Sequence, residues 1–324
     1  MWRVSSNLGL VGLVLVLGSS ASSLTMDWTF VGNPGNSCDG QTQGCFGAVD
    51  YVYGVATHEV TNVQYAEFLN AKAAADPLSL YNTSMGSGLG GITRTGVSGS
   101  YNYTAITGRE NMPVNYVSFY DALRFANWLH NGQGSGDTET GAYTLLGGTA
   151  APTNGLTVTR NAGATIVLAS EDEWYKAAYY DGVLGVYYDF PAGVDATTTC
   201  APPGPTPNTA NCDYGSFPYS LADVGSYTGS PSPYGTFDQG GNLWEWNETI
   251  SGTMRIRRGG SYGGSANSLA ASFRSDLGPS SEVASVGFRV ALVPEPGTGV
   301  LVLTGLTMIA ARRSVRGQRA NARR

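Results

Sequence analysis

Histidine and cysteine are scarce in this 324-residue chain, with two of the first and four of the second, and only 13% of its residues are charged. Two histidines, His58 and His130, with no Cys-x-x-Cys pair, leave little from which to build a zinc centre. No apolar run reaches the roughly 20 residues that span a bilayer comfortably. The glycine clusters at 86–91 and 132–136 lack the strand before and the Lys-Ser/Thr or acidic partner after that would make them phosphate or dinucleotide loops. Basic residues are rare outside the last segment. With Arg3 and the six arginines from Arg312 to Arg324 set aside, 11 basic residues face 24 acidic ones, a net charge of −13. Phosphate contacts need clustered Lys and Arg, so nucleic acid is not expected as a partner. The same balance leaves carboxylates for hard cations.

What is present begins with a leader pattern. Arg3 is followed by an almost pure Gly, Val and Leu stretch from Leu8 to Leu17 and then by the small-residue run from Gly18 to Ser23. That order is the charged start, short apolar core and cleavage region of a secretory signal peptide. It is placed at residues 1–23, with cleavage expected between Ala21 and Thr25. At the other end, Val293-Pro294-Glu295-Pro296 precedes an apolar stretch from Gly297 to Ala311 and then the arginines. An apolar run ending in a basic cluster reads as a stop-transfer signal with its arginines in the cytoplasm. At about 15 residues it is too short for a permanent anchor, so transient inner-membrane anchoring and processing are expected. Segment 293–324 resembles the PEP-CTERM sorting signal of Gram-negative bacteria. The resemblance implies the export machinery and an exosortase-type processing enzyme as partners, a cell-surface or extracellular location, and an association with exopolysaccharide.

In an oxidising compartment the four cysteines read as two local disulfides, Cys38 with Cys45 and Cys200 with Cys212. Residues 27–292 are read as one domain. Forty-five glycines and nineteen tyrosines predict many tight turns and long loops. Three helices are expected. One starts at the capping box Thr61-Asn62-Val63-Gln64 and buries Tyr65, Phe68 and Leu69. A second starts at Ser118, carries Asp121 in its first turn and closes at His130. A third starts at Ser170 with Glu173 three residues on and turns Trp174, Ala177 and Ala178 inward. Strands are expected at 49–56, 165–168, 257–262 and 286–292. The class is α+β with sparse regular structure.

Six blocks in order carry a family resemblance. They are His58-Glu59-Val60-Thr61-Asn62-Val63-Gln64-Tyr65, Pro113-Val114-Asn115-Tyr116-Val117-Ser118-Phe119-Tyr120-Asp121-Ala122, Leu168-Ala169-Ser170-Glu171-Asp172-Glu173-Trp174, Gly241-Asn242-Leu243-Trp244-Glu245-Trp246, Arg258-Gly259-Gly260-Ser261-Tyr262 and Gly287-Phe288-Arg289. The chain resembles the sulfatase-modifying-factor family, which includes the formylglycine-generating enzyme, across its whole mature domain. The resemblance implies an elaborated C-type lectin-like fold. It also implies copper-dependent oxidation of a substrate cysteine by two cysteines shortly after the Gly-Gly-Ser-aromatic block. Here no cysteine follows Cys212. Thiolates hold soft copper(I) and Gly, Ser or Ala cannot replace them, so copper is not expected and no catalytic residue is assigned. A family calcium loop is implied at Asp238, Gly241, Leu243 and Glu245, two carboxylates and two backbone carbonyls of the hard-oxygen type calcium takes. His58 and Glu59 are read as packing or capping residues, and a hydrolase centre is not expected.

The function expected is a non-catalytic lectin-like binding or matrix module, contacting extracellular polysaccharide or a surface protein. The alternative is an enzyme of the same family using divergent chemistry in the groove near Ser261–Asn267 and Trp244–Trp246. A purely structural matrix protein held by disulfides and calcium is the third reading.

Overall fold

The computed structural model describes residues 24–213 and 220–295; the expected leader and the sorting segment from Pro296 onward lie outside the described residues. Helix α1 spans Asn62–Lys72, α2 Phe119–His130 and α3 Glu171–Tyr179. Each starts on a reciprocal capping box, Thr61 with Gln64, Ser118 with Asp121 and Ser170 with Glu173. The hydroxyl takes an orphan N–H of the first turn and the third residue returns a bond to the cap backbone, a device worth about 1 kcal/mol per helix end. Helix α2 is buried along its length, charged Asp121 and Arg124 included. It ends in a Schellman arrangement: Gly132 (φ +81°) donates to Leu129 O and Gln133 donates to Trp128 O.

Two four-stranded sheets carry most of the remaining regular structure, beside four short two-stranded pairs among the described residues. In the first, β1 (Trp28–Val31), β2 (Tyr53–Ala56) and β3 (Ile166–Leu168) are joined by β8 (Val290–Leu292) in the order β1-β2-β8-β3, all antiparallel. In the second, β4 (Trp244–Ser251), β5 (Met254–Arg258), β6 (Ser275–Leu277) and β7 (Val286–Gly287) run in the order β6-β5-β4-β7, with β4 and β7 parallel. The expected strand at 286–292 is therefore two strands in two sheets. Phe288 and Arg289 are the step between them, and both are fully buried. The strand expected at 257–262 stops at Arg258 because Gly259 and Gly260 take φ of +97° and +73° and turn the chain away. The strand expected at 49–56 is reduced to its last four residues.

Phe288 anchors the main core. Its ring meets Phe125 at 5.4 Å and Tyr65 at 6.4 Å, and Phe68 reaches both Phe125 and Trp128 at 5.4 Å. These edge-on and tilted contacts lock α1 against α2. Both expected disulfides form, Cys38–Cys45 and Cys200–Cys212, and they account for every cysteine.

Candidate functional site

The blocks read from the sequence converge on one buried ion pair. Glu245 on β4 and Arg289 between β7 and β8 are fully buried, with Arg289 Nε and Nη2 each donating to a Glu245 oxygen at 2.6 Å. Trp174 of α3 donates its indole N–H to Glu245 Oε2 at 2.8 Å. Arg289 spends its remaining donors on the carbonyls of Ala56, Thr57 and Phe237. Beside it, Glu59 accepts from Asn242 Nδ2 and from the Leu243 N–H. Asn242, in the left-handed region at φ +57°, also accepts from Asn211 Nδ2 and the Ala222 N–H. A bidentate guanidinium–carboxylate pair with every donor used is the form in which a buried charge is tolerated.

Three carboxyl groups, Glu245, Glu59 and Asp238, bear on this single guanidinium. Burial works most strongly against Arg289's charge, but the charge and hydrogen bonds of Glu245, with Glu59 and Asp238, together outweigh it and hold the group above its ordinary value. Burial first, and then the negative Glu245 and Asp238, push the Glu59 carboxyl well above the usual range. Asp238 is pushed up to about 6, chiefly by burial. Glu59 is thus the member of the cluster best suited to hold a proton at neutral pH.

These contacts test the calcium expected at Asp238, Gly241, Leu243 and Glu245. Glu245 has both oxygens committed to Arg289 and Trp174, and Asp238 Oδ2 accepts from the Gly225 N–H at 2.6 Å. Among the described residues no three His, Cys, Asp or Glu side chains are grouped to hold a metal. Calcium takes six to eight oxygens. With a guanidinium facing Glu245, the residues present do not fit that ion.

The stretch where the family resemblance places a thiolate pair is packed only in part: Gly263, Ser265 and Asn267 are exposed, while Ser268 and Leu269 are buried and crowd the neighbouring glycines. A Cβ on Gly264 would lie 2.7 Å from Ser268 Oγ, and one on Gly260 would lie 2.6 Å from the same atom and 2.7 Å from Leu269 Cδ1. Leu269 is fully buried against Phe190, Ala210 and Cys212. Trp246 is also buried, its indole donating to Val117 O, while Trp244 lies under Arg257 and beside Phe273. The buried side chains of Ser268, Leu269, Trp244 and Trp246 thus fill the inner part of the alternative groove, while Gly263, Ser265 and Asn267 stay exposed. The letters Gly259-Gly260-Ser261-Tyr262-Gly263 do satisfy a Gly-x-Ser-x-Gly pattern, a match the sequence reading passed over. A nucleophile elbow needs a strand, a sharp turn and a helix. Ser261 is instead buried and followed by a turn and then the 3-10 segment Ala266–Leu269.

Open space lies on the other side of Glu59. A cavity of about 430 Å³ is lined by Met26, Asp27, His58, Glu59, Asn111 and Asp223, among others. His58 stacks on Phe237 with ring centroids 5.6 Å apart. Gly225 (φ +71°) closes over it so tightly that a Cβ there would lie 2.6 Å from His58 Nε2. Burial, and then the Arg289 charge, hold His58 below its ordinary value. The helix cap is Thr61, so His58 and Glu59 pack and hydrogen-bond ahead of the helix without capping it. Asp27, Asn111 and Asp223 had no motif to mark them, since loops distant in sequence bring them together.

Three capped helices and two small antiparallel-rich sheets, tied by long loops and a buried Arg–Glu pair, define an α+β domain of the C-type lectin-like class. The chain belongs to the family of sulfatase-modifying factor enzyme 1-like domains, whose profile matches residues 51–293. Hercynine oxygenase of Mycolicibacterium smegmatis is similar to it, 26% identical over 186 residues. The match covers 50% of this chain and 33% of that protein, so the chain matches about a third of that relative's length. Two solved structures share the fold. Treponema denticola variable protein 1 has a TM-score of 0.54 at 19% identity, covering 85% of this chain and 98% of that one. CarF has a TM-score of 0.54 at 23% identity, covering 84% and 99%. At such identities the likeness speaks for the fold alone.

Proposed function

We propose that this chain is an exported, surface-associated member of its family that has given up the copper-dependent oxidase chemistry and serves as a binding or matrix module. One observation carries the reading. Every cysteine is tied in a disulfide, and the stretch from Gly263 to Ala271 offers only Gly, Ser, Ala, Asn and Leu. No thiolate is left to hold a soft metal. Export is supported by the leader-like start, the sorting-type end and two disulfides of the kind that persist outside the reducing cytosol. Extracellular polysaccharide or another surface protein is the ligand class. The cavity beside His58 offers Asp27, Asp223 and Asn111, short planar acceptors and amide donors that suit sugar hydroxyls.

The test is to incubate residues 24–293 with copper and a cysteine-containing sulfatase-type peptide and to follow the peptide by mass spectrometry beside an active control enzyme. An unchanged peptide is expected. Conversion to formylglycine would require a copper site of another kind and would sink the reading. A second reading, an enzyme of divergent chemistry, is favoured by one observation. His58 and Glu59, two groups shifted in opposite directions, meet at one cavity, a pattern common at catalytic sites. It predicts oxygen uptake with hercynine, the compound named in the similar oxygenase, in the presence of copper or iron. Absence of uptake removes that version of it.

A further inference from the structure

The described residues include nine arginines and two lysines, and all but one of these cations are engaged. Six arginines meet carboxylates. Arg109, Arg255, Lys72 and Lys176 donate to backbone carbonyls. Arg257 is the one left. Its Nε donates to Ser275 Oγ at 3.3 Å, but Nη1 and Nη2 have neither a hydrogen bond nor an ion pair among the described residues. The side chain is half-buried, and those free ends reach the surface.

Arg257 is nonetheless held in place. It sits on β5 between Trp246 of β4 and Ser275 of β6, so its backbone is paired on both sides. Its guanidinium lies over the Trp244 ring, 5.0 Å from the centroid, and Phe273 stands beside Trp244 with ring centroids 5.8 Å apart. Phe273 is 41% exposed, and its carbonyl accepts from Arg258 Nη1 at 2.9 Å. A guanidinium fixed on an aromatic face with both Nη groups free is a fork that matches one carboxylate in bidentate geometry. The Phe273 ring next to it offers a flat apolar surface that suits the apolar face of a sugar. Charge narrows the ligand further. A densely charged polyanion would bring many carboxylates against a domain of net charge −13. A glycan with isolated carboxylates would not, because charges more than about 8 Å away are largely screened at physiological salt.

We propose that Arg257 and Phe273 form a contact site for a uronate residue set among neutral sugars, with its carboxylate on Arg257 Nη1 and Nη2 and its ring against Phe273. The proposal deepens the binding-module reading and rests on it; none of these residues lines the cavity beside His58.

Calorimetric titration of the full chain tests it, with a tetrasaccharide carrying one glucuronate and the same tetrasaccharide after its carboxyl is reduced to a hydroxymethyl group. The acidic sugar should bind about tenfold more tightly than the reduced one. Arg257→Met should bind the two alike, at the weaker value, and Arg257→Lys, which keeps the charge without the fork, should recover only part of the preference. Phe273→Ala should weaken both sugars by a similar factor and keep the preference. Near-ultraviolet circular dichroism checks that each variant is folded. No preference in the unaltered chain, or a preference that survives Arg257→Met, would overturn the site. Sugar binding lost in Asp223→Asn and kept in Arg257→Met would also overturn it, leaving the module reading with the cavity as its site. The module reading has its own separate test in the copper assay.

Discussion

Replacing Glu245 with alanine leaves the Arg289 guanidinium buried and without its counter-charge. Both side chains are fully buried, and of the five hydrogen bonds Arg289 donates, two go to Glu245 and the other three to Ala56 O, Thr57 O and Phe237 O, backbone carbonyls that cannot neutralise a cation. Breaking a buried pair from one side costs about 3–5 kcal/mol, against a total stability of about 5–15 kcal/mol for a domain. At roughly 2–4 °C per kcal/mol for a chain of this size, the melting temperature should fall by about 10 °C or more. Urea titration followed by tryptophan fluorescence should show the midpoint dropping with little change in slope, because the surface exposed on unfolding hardly changes. Replacing both members, Glu245→Leu with Arg289→Met, should recover a large part of the loss, since the desolvation cost leaves with the charges. A single substitution costing less than about 1 kcal/mol, or a double one worse than the sum of its parts, would refute the account of Glu245 as an ion-pair partner.

If Glu245 is so engaged, calcium between zero and millimolar, or a chelator, should leave the melting temperature within error; a calcium-dependent rise lost in Asp238→Asn would place the ion at the expected loop after all. Stability should increase as pH falls from 8 toward 5. Burial raises Asp121 to about 7 and Asp238 to about 6, so the fold binds protons the unfolded chain has released. Stability therefore drops as pH rises through that window and levels off above it, a change on the order of a few kcal/mol at about 1.4 kcal/mol per pKa unit. His58, held low, opposes the trend below its ordinary value, and Asp121→Asn should flatten the slope in thermal melts. Removing the Cys200–Cys212 bond with paired serines frees a loop with a sequence separation of 12 and should cost roughly 3 kcal/mol by urea titration, more than removing Cys38–Cys45 with its separation of 7.

The helices were legible because their signals are local. Thr61 with Gln64, Ser170 with Glu173 and the stripe Phe119, Ala122, Leu123 and Ala126 decide a few turns without help from elsewhere, and α2 ends at His130 as read. The disulfides were legible for the same reason, as each joins near neighbours. The longest strand, Trp244–Ser251, was not read as one. It holds two glutamates and an asparagine, and what makes Glu245 tolerable in a sheet is Arg289, 44 residues away. Strand β1 was missed because its partner, Tyr53–Ala56, supplies the pairing that Trp28–Val31 does not announce alone. The cavity was illegible in the same sense. Asp27, His58, Asn111 and Asp223 share no spacing, and only the fold brings them to one wall.

That contrast bears on what the six blocks mean. His-Glu-Val-Thr supplies Glu59, Ser-Glu-Asp-Glu-Trp supplies Trp174, Gly-Asn-Leu-Trp-Glu-Trp supplies Asn242 and Glu245, and Gly-Phe-Arg supplies Arg289 and the core ring Phe288. Four blocks thus meet in one buried network whose donors and acceptors satisfy one another, and of the groups just named only Glu59 reaches the cavity wall. The strongest sequence signal in this chain is therefore a signal for scaffold, which is why the fold could be read from it while the chemistry could not. The stretch from Gly263 to Leu269 follows one of these blocks, and in this chain its end, Ser268 and Leu269, is buried while Gly263, Ser265 and Asn267 are exposed. Within such a fold open space is left where loops meet, and here the cavity walled by Met26 and Asp27 lies beside His58, away from the stretch where the family's thiolates are expected.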